Sequence, residues 1–316
     1  MALAIHGGAG AISPELLTAQ RIQEYEQGLS EALAIGRELL SKGSSAVEAV
    51  CGTVASLEDC PLFNAGHGAV FTANETIELD ASIMCGKTKS AGAIAAVKTI
   101  KNPIRGARLV MERSPHVFLV GEGAEHYAAQ HELDIVPATY FETEKRREQL
   151  HRFKAENRID LDHNDDAPRD YAPPVNLGTV GAVALDSFGN LAAATSTGGM
   201  TNKEYGRVGD SPIIGAGTWA SNDTCAISCT GQGEYFLIGS VAKDVDARMR
   251  YGGTSFSEAC ILALTEHVAN SNGQGGMIAI SRKGEILMPF NSLGMYRGCW
   301  SQKSGESRVG IWPQKD

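Results

Sequence analysis

The residues that could do chemistry lie in the second half of the sequence, in three stretches rich in threonine and glycine. Gly178-Thr179 begins the first stretch, residues 195–202 (TSTGGMTN) form the second, and residues 229–233 (CTGQG) form the third. A threonine at the start of a strand is ordinarily only a β-forming residue. Each stretch is therefore weak evidence by itself, and the case for Thr179 depends on what precedes it.

The segment before Thr179 has the composition of a linker. Residues 142–170 carry one charge after another and almost no residue that could seed a core. The segment ends in APPVNLG (172–178), and a strong hairpin pattern follows directly. We therefore predict a flexible linker over about 142–178, with a boundary between Gly178 and Thr179.

A threonine that becomes the first residue of a chain can act as a nucleophile without a separate histidine. Its freed α-amine has a reference pKa of about 7.7–8.0 and can accept the hydroxyl proton near neutral pH. A glycine just upstream, here Gly178, permits a strained approach to its carbonyl that a Cβ would obstruct. The context of Thr179 therefore favours self-cleavage between these two residues.

The elements that must position these residues show strands and helices in both halves of the chain. Hydrophobic periodicity predicts strands at 2–5, 76–84, 91–97, 117–120, 179–185, 191–196, 226–228, 235–238, 277–280 and 286–288. It predicts helices at 21–40, 44–57, 103–114, 241–250 and 255–269, and a glycine-rich turn after the first strand. This order predicts an α+β fold of two sheets packed face to face with helices outside, rather than alternating βαβ units.

Composition excludes several classes of protein. The chain has 316 residues, of which 43% are hydrophobic, and its net charge is -9. It contains no stretch of lysine and arginine with interleaved aromatic residues, so nucleic acid is not an expected partner. No apolar run approaches the roughly 18–20 residues that cross a membrane, and the N-terminus lacks a signal-peptide pattern. We expect a soluble, cytoplasmic protein with no membrane partner.

The seven cysteines form an odd set without a C-x-x-C pair. They lie in apolar contexts, and no two of them lie near a histidine at the spacing of zinc ligands. We expect them to be reduced, small core residues.

Six motifs, in this order, resemble those of the plant-type L-asparaginases and isoaspartyl aminopeptidases, members of the Ntn-hydrolase superfamily. The resemblance runs nearly end to end. It implies a four-layer αββα sandwich and self-cleavage into an α-subunit (1–178) and a β-subunit (179–316), which together form one catalytic domain and assemble as an (αβ)2 heterotetramer. The motifs are residues 5–10 (IHGGAG), 60–68 (CPLFNAGHG), 178–186 (GTVGAVALD), 195–199 (TSTGG), 206–212 (GRVGDSP) and 230–234 (TGQGE).

The same resemblance implies the catalytic residues. Thr179 attacks the substrate carbonyl, and Thr197 supports this nucleophile. Thr230 and the backbone N–H of Gly231 stabilise the oxyanion, and Asn64 helps to position the terminal threonine.

Arg207 and Asp210 suit an aspartyl substrate, because a guanidinium fork binds the α-carboxylate and a carboxylate accepts from the α-ammonium. Without the resemblance, an ordinary surface ion pair would explain them equally well. The expected small-molecule substrates are L-asparagine and β-aspartyl dipeptides. The residues implied in substrate binding are Arg207, Val208, Gly209, Asp210, Thr230, Gly231, Gln232 and Gly233.

One pair of residues near this segment departs from the family pattern. Glu204-Tyr205 stands where we expect more apolar or proline-containing pairs in relatives. Since the pair flanks the substrate pocket, the preference among asparagine and the β-aspartyl dipeptides stays open.

The loop at residues 57–67 is implied to hold a structural monovalent cation through main-chain carbonyls, and we expect sodium. His67 departs from the aliphatic residue of relatives, but carbonyl ligands make its side chain unimportant. No organic cofactor is expected: residues 5–10 lack the spacing of a phosphate-binding loop, and His6 is interpreted as structural. The implied cation ligands are Leu57, Glu58, Cys60, Phe63, Ala65 and His67.

Two alternatives remain open at this point. A glycosylasparaginase has similar Thr-Gly motifs, but Gly178 stands where its usual aspartate precedes the catalytic threonine. An unprocessed, non-catalytic homologue that serves in binding or assembly is the other alternative, and the intact Thr179, Thr197 and Thr230 argue against it.

Overall fold

The computed structural model describes residues 1–15, 17–155 and 178–313. The helices are α1 (Ala19–Ser41), α2 (Ala46–Asp59), α3 (Pro103–Arg113), α4 (Gly121–Gln130), α5 (Glu144–Ala155), α6 (Gly233–Gly239), α7 (Val241–Tyr251) and α8 (Phe256–His267). The strands are β1 (Ala2–Gly10), β2 (Leu79–Cys85), β3 (Ala91–Val97), β4 (Phe118–Val120), β5 (Val180–Leu185), β6 (Leu191–Thr197), β7 (Thr218–Ala220), β8 (Cys225–Gly231), β9 (Gly275–Ser281), β10 (Ile286–Leu287), β11 (Gly294–Ser301) and β12 (Ser307–Gly310).

The strands form two sheets. The larger has the order β12-β11-β1-β5-β6-β2-β3-β4, and the smaller has the order β10-β9-β8-β7. Neighbouring strands are antiparallel except for the β3–β4 pair. The larger sheet therefore interleaves strands that precede Gly178 with strands that follow it.

Apolar side chains form three layers of core, and these define the αββα sandwich. Successive side chains of a strand point to opposite faces, so Leu3 and Ala184 join the core beneath α1, α2 and α3. Ala4 and Val183 point the other way and pack between the two sheets. A third cluster joins the small sheet to α7 and α8. The predicted α+β sandwich is confirmed, and none of the helices in the described ranges is long and apolar enough to span a membrane.

The glycine-rich turn predicted after Ile5 is wrong. Strand β1 continues to Gly10 between β11 and β5, with a bulge between His6 and Gly8. A Cβ at Gly7 would lie 2.4 Å from the ring of Phe63. Gly7 therefore lets the strand pass close to the loop that follows α2.

The strand predicted at 235–238 is also wrong, because these residues lie in helix α6. Four successive apolar residues do not by themselves distinguish a strand from a helix. Here Phe236 is buried whereas Ile238 is 88% exposed. This one-sided burial is what a helix packed on the sheet requires. The sequence patterns also missed β7, β11, β12, α4 and α5.

The prediction of a linker from about residue 142 is wrong for residues 144–155, which form α5. Leu150 and Phe153, one turn apart, are buried, and buried Arg146 donates through Nε to the carbonyl of Gly68 at 2.8 Å. Burial of a few positions on one face was enough to order a highly charged helix. The rest of the predicted linker, residues 156–177, lies outside the described residues.

Most of the cysteines are core residues, as expected. All seven are free thiols, and five of them are buried. The two that are half-buried are Cys60 and Cys85.

Candidate active site

The carbonyl oxygen of Gly178 is surrounded by donors from three parts of the chain. Asn64 donates through Nδ2 at 2.9 Å, and the Thr197 hydroxyl donates at 3.0 Å. The Thr179 hydroxyl lies 2.8 Å from the same oxygen and 3.1 Å from the Thr197 hydroxyl. The structure thus brings together the predicted cleavage site, the predicted nucleophile and two predicted helpers, and all of these residues are buried.

Asn64 is held in one orientation by its other contacts. Its Nδ2 also donates to the carbonyl of Gly199 at 2.7 Å, and its Oδ1 accepts from the backbone N–H of Val70 at 3.0 Å. A Cβ at Gly178 would lie 2.5 Å from the Cβ of Asn64. Glycine at position 178 is therefore needed for space beside Asn64.

The predicted oxyanion residues lie at the end of β8, on the sheet that faces β5. The hydroxyl of Thr230 accepts from the backbone N–H of Ala9 at 3.2 Å. A Cβ at Gly231 would lie 2.5 Å from the ring of Phe236. The hydrogen bond from Ala9 on β1 and the close packing against Phe236 on α6 therefore hold this end of β8 in place.

Asp210 is a buried carboxylate with unused bonding capacity. Its Oδ2 has no hydrogen-bond partner among the described residues. Burial raises the pKa of Asp210 to about 7, and the charge of Arg207 partly opposes this shift. A buried oxygen without a partner is costly, so this side chain is suited to accept from an ammonium group.

Arg207 does not form the ion pair with Asp210 that we considered as an alternative. Its Nε and Nη2 both contact Oε1 of Glu234, at 3.0 and 2.8 Å. Glu234 is half exposed, so this pair contributes little to stability. Glu234 was not predicted as a site residue, although it lies inside the TGQGE motif.

Two of the remaining predicted substrate residues, Gly209 and Gly233, lie close to the side chains of Arg207 and Asp210. A Cβ at Gly233 would lie 3.0 Å from both Nη2 of Arg207 and Oδ1 of Asp210, and a Cβ at Gly209 would lie 3.0 Å from Nη1 of Arg207. The side chain of Gln232 accepts instead from the backbone of Gln274, at 2.9 Å. Val208 is half-buried, and the unusual pair at 204–205 is exposed.

A buried lysine behind the TSTGG motif was also missed. Lys203 is 1% exposed and donates through Nζ to the carbonyl of Glu78 at 3.1 Å. Burial lowers the pKa of Lys203, and the nearby Asp80 carboxylate opposes that shift. A Cβ at Gly199 would lie 2.8 Å from this Nζ, so the lysine packs directly against the motif.

The loop after α2 has the donor set that the predicted cation requires. A Cβ at Gly66 would lie 2.4 Å from the carbonyl oxygen of Glu58, and one at Gly68 would lie 2.2 Å from that of Phe63. The carbonyl oxygens of Glu58 and Phe63 thus lie close to these two glycines, and carbonyl oxygens can replace the hydration shell of an alkali cation. The ring of His67 instead contacts the carbonyl of Tyr140 at 2.8 Å. Main-chain carbonyls are donors of the kind that a monovalent cation binds, and the cation itself stays a prediction.

The side chain of Glu58 has a second role that the sequence did not reveal. Its Oε1 accepts from the backbone N–H of Ile104 at 2.9 Å and from the hydroxyl of Ser196 at 2.6 Å. Burial raises its pKa to about 8. Glu58 therefore connects this loop to β6, directly beside Thr197.

Comparisons with known proteins agree with this arrangement. A family model described as "Asparaginase" matches residues 1–311. The "Isoaspartyl peptidase" of Escherichia coli (strain K12) is 50% identical over 313 residues, which cover 99% of this chain and 96% of that protein. The "Probable isoaspartyl peptidase/L-asparaginase 2" of Arabidopsis thaliana is 41% identical, covering 98% of each chain. The "Isoaspartyl peptidase/L-asparaginase" of Homo sapiens is 43% identical, covering 97% of this chain and 94% of that protein.

The motifs, the sandwich of two sheets and the full-length matches all lead to one assignment. As the resemblance of its motifs predicted, the chain belongs to the asparaginase family, together with isoaspartyl peptidases and L-asparaginases of the Ntn-hydrolase superfamily.

Proposed function

We propose that the chain cleaves itself between Gly178 and Thr179 and then uses Thr179 to hydrolyse β-aspartyl dipeptides and L-asparagine, releasing L-aspartate. One observation carries the proposal. The Thr179 hydroxyl lies 2.8 Å from the carbonyl oxygen of Gly178, and Asn64 and Thr197 also donate to that oxygen. Donors aimed at a carbonyl oxygen stabilise the negative charge that develops there when the carbon is attacked.

Self-cleavage would proceed through an ester. The Thr179 hydroxyl oxygen adds to the carbonyl carbon of Gly178, and the C–N bond breaks as the amide nitrogen takes up a proton. Water then hydrolyses the ester, which leaves a carboxylate on Gly178 and a free α-amine and hydroxyl on Thr179. The Asn64 amide and the Thr197 hydroxyl serve as the donors in the first step.

Substrate hydrolysis would use the same oxygen. The new amine accepts the hydroxyl proton, and the oxygen attacks the side-chain carbonyl of the bound aspartyl group. Thr230 and the N–H of Gly231 stabilise the oxyanion. Ammonia or an α-amine leaves, and water releases aspartate from the acyl-enzyme. Arg207 binds the α-carboxylate and Asp210 the α-ammonium, for which its unpartnered Oδ2 is suited.

The assembly and the cation belong to the same proposal. We infer an (αβ)2 heterotetramer, and a sodium ion held by the carbonyls of the loop at residues 57–67, whose bound charge would fix the loop beside β6. The closeness of the Glu58 and Phe63 carbonyl oxygens to Gly66 and Gly68, where no side chain fills the space, supports the cation. The cytoplasmic location stays a prediction of the sequence.

Intact-protein mass spectrometry tests the proposal. Wild-type protein should separate into two polypeptides cut between Gly178 and Thr179, and the processed sample should hydrolyse a β-aspartyl dipeptide. Thr179→Ala should remain one chain without activity, whereas Thr53→Val, which removes a buried hydroxyl on α2, should behave as wild type. Activity from protein whose backbone is intact at this bond would contradict the proposal.

The same samples separate the two alternatives. A glycosylasparaginase would release sugar amine from an asparagine-linked glycan faster than it cleaves the dipeptide. A silent homologue would remain a single full-length band on a denaturing gel at all incubation times.

A further inference from the structure

The carbonyl of Thr179 itself is held by a buried side chain. Backbone pairing between β1 and β5 ends at His6 and Gly181, so Thr179 lies beyond the last paired residue of β5 on this side. Nδ1 of His6 lies 3.0 Å from the Thr179 carbonyl oxygen. The side chain of His6 therefore continues the attachment of β5 to β1 after the backbone ladder has ended.

The partners of His6 determine where its proton must be. A carbonyl oxygen can only accept, so Nδ1 carries the hydrogen. Burial lowers the pKa of His6 to about 3, so the ring is neutral and Nε2 must accept. The partner of Nε2 is the hydroxyl of Ser228 on β8, at 2.9 Å. The ring thus connects the nucleophilic residue on one sheet to the other sheet.

Further hydroxyl groups extend this connection between the sheets. The Ser228 hydroxyl lies 2.7 Å from that of Thr195, which lies 2.6 Å from that of Thr218. Ser82 continues the chain from Thr218 at 2.8 Å and lies 2.6 Å from the carbonyl of Ser211. All of these side chains are buried.

This chain of hydroxyl groups has a direction and an end point. Ser228 must donate to His6, so Thr195 donates to Ser228, and Thr218 donates to Thr195. Each hydroxyl has one hydrogen, so Ser82 donates to Thr218 and is the far end of the chain. The carbonyl of Thr179 is therefore connected through buried hydrogen bonds to Ser82 on β2.

Gly181 makes room for this arrangement. A Cβ there would lie 2.0 Å from the hydroxyl oxygen of Ser228 and 2.4 Å from Nε2 of His6. No side chain larger than hydrogen is compatible with the His6–Ser228 hydrogen bond at this position.

We propose that His6 is a positioning residue for Thr179: as a neutral imidazole protonated on Nδ1, it holds the Thr179 carbonyl and thereby the nucleophilic hydroxyl. The proposal rests on the proposed function, since it assumes that Thr179 is the nucleophile. Its physical basis is that cleavage would turn Thr179 into a chain terminus, and termini fray unless they are tied down. A nucleophile displaced by about 1 Å loses on the order of 100-fold in rate.

Two substitutions of His6 distinguish a role in positioning Thr179 from a general role in the stability of the fold. In His6→Asn, the amide nitrogen can occupy the place of Nδ1 and still donate to the Thr179 carbonyl. In His6→Gln, the amide reaches the place of Nε2, which keeps a partner for Ser228 but not for Thr179. We expect His6→Gln to lower kcat by roughly 10- to 100-fold with KM within about threefold of wild type. His6→Asn should retain kcat within about threefold, and Thr53→Val is the control for loss of a buried hydroxyl.

A measurement on the unmodified protein keeps the proposal open to refutation even if both variants fail to fold. Nitrogen-15 NMR of histidine-labelled wild-type protein should show a buried ring that is protonated on Nδ1 and does not titrate between about pH 5 and 8. A ring protonated on Nε2, or equal kcat values for the two variants, would overturn the proposal. Failure of the proposed function would show separately, as wild-type protein that neither cleaves nor hydrolyses the dipeptide.

Discussion

Asn64 lies far from Thr179 in the sequence, yet it makes one of the shortest contacts to the bond before that residue. Its amide nitrogen is shared between the carbonyls of Gly178 and Gly199, at 2.9 and 2.7 Å. The motif around Asn64 was enough to include this residue in the site. Which carbonyl its amide faces could not be read from the motif, because that depends on where the loop after α2 meets β5 and β6.

Asn64→Ala should slow self-cleavage by about 100- to 1000-fold, the usual effect of removing one donor from an oxyanion. The half-time of cleavage can be followed on denaturing gels from freshly purified protein. Asn102→Ala serves as the control, because that buried amide contacts Ala55 and Asp59 instead. Cleavage of the Asn64 variant at the wild-type rate would show that its contact to Gly178 has no catalytic effect.

The pKa of Asp210 predicts a dependence of stability on pH. Burial raises it from an ordinary value of 3.8 to about 7, so the folded protein holds a proton that the unfolded chain releases. The contribution of protonated Asp210 to the free energy of unfolding is fully present below about pH 4 and is lost as the pH rises through 7.

Asp210→Asn should therefore be more stable than its parent at pH 8, and the difference should shrink towards pH 5, with a size of at most a few kcal/mol. Urea unfolding measures this difference in stability. Both proteins carry Thr179→Ala, so that each is expected to stay one chain. A difference that is constant with pH would contradict the buried-carboxyl explanation.

The loop between α2 and β2 combines two connections that the sequence showed only in part. The main-chain carbonyls are predicted to bind a cation, and those of Glu58 and Phe63 lie close to Gly66 and Gly68. The Glu58 side chain additionally reaches Ser196 on β6 at 2.6 Å. When the loop is ordered, the Glu58–Ser196 hydrogen bond therefore also fixes β6, the strand that carries Thr197.

Sodium should stabilise the protein through this loop. Replacing sodium chloride with choline chloride at equal ionic strength should lower Tm by roughly 2–10 °C, because a ligand of the native state stabilises it by mass action. His67→Leu should keep the sodium response, since only its carbonyl is implied as a ligand. Gly68→Ala should lose the response, since its Cβ would lie 2.2 Å from the carbonyl oxygen of Phe63. Equal Tm in the two salts would rule out the predicted cation.

The order of strands in the large sheet determines what cleavage can do to the molecule. β1 lies between β11 and β5, and β6 pairs with β2, so strands from before Gly178 pair with strands from after it at three places. Separating the two products would require breaking several backbone ladders and exposing the core between the sheets.

The two fragments should therefore stay associated after cleavage. We expect two bands on a denaturing gel but one particle by native mass spectrometry, with a mass that is a multiple of 33.5 kDa plus water for each cleaved chain. Urea should dissociate the fragments and unfold them in the same transition. Release of a folded fragment under native conditions would contradict the interleaved sheet.

Local sequence was sufficient for the features that depend on neighbouring residues. The hairpin of β5 and β6 and the helices α1, α2, α3, α7 and α8 follow from periodicity, turn residues and composition. The Gly178-Thr179 boundary stays a prediction from the same patterns. The order of six motifs was sufficient for the family, because each motif is contiguous.

Tertiary structure alone decided the features that depend on contacts between distant residues. Arg207 pairs with Glu234 rather than with Asp210, and the ring of His6 reaches both Thr179 and Ser228. A hydrogen bond needs two atoms within about 3 Å, and for such pairs the register of the strands and the spacing of the sheets set that distance. No pattern within a single segment carries this information.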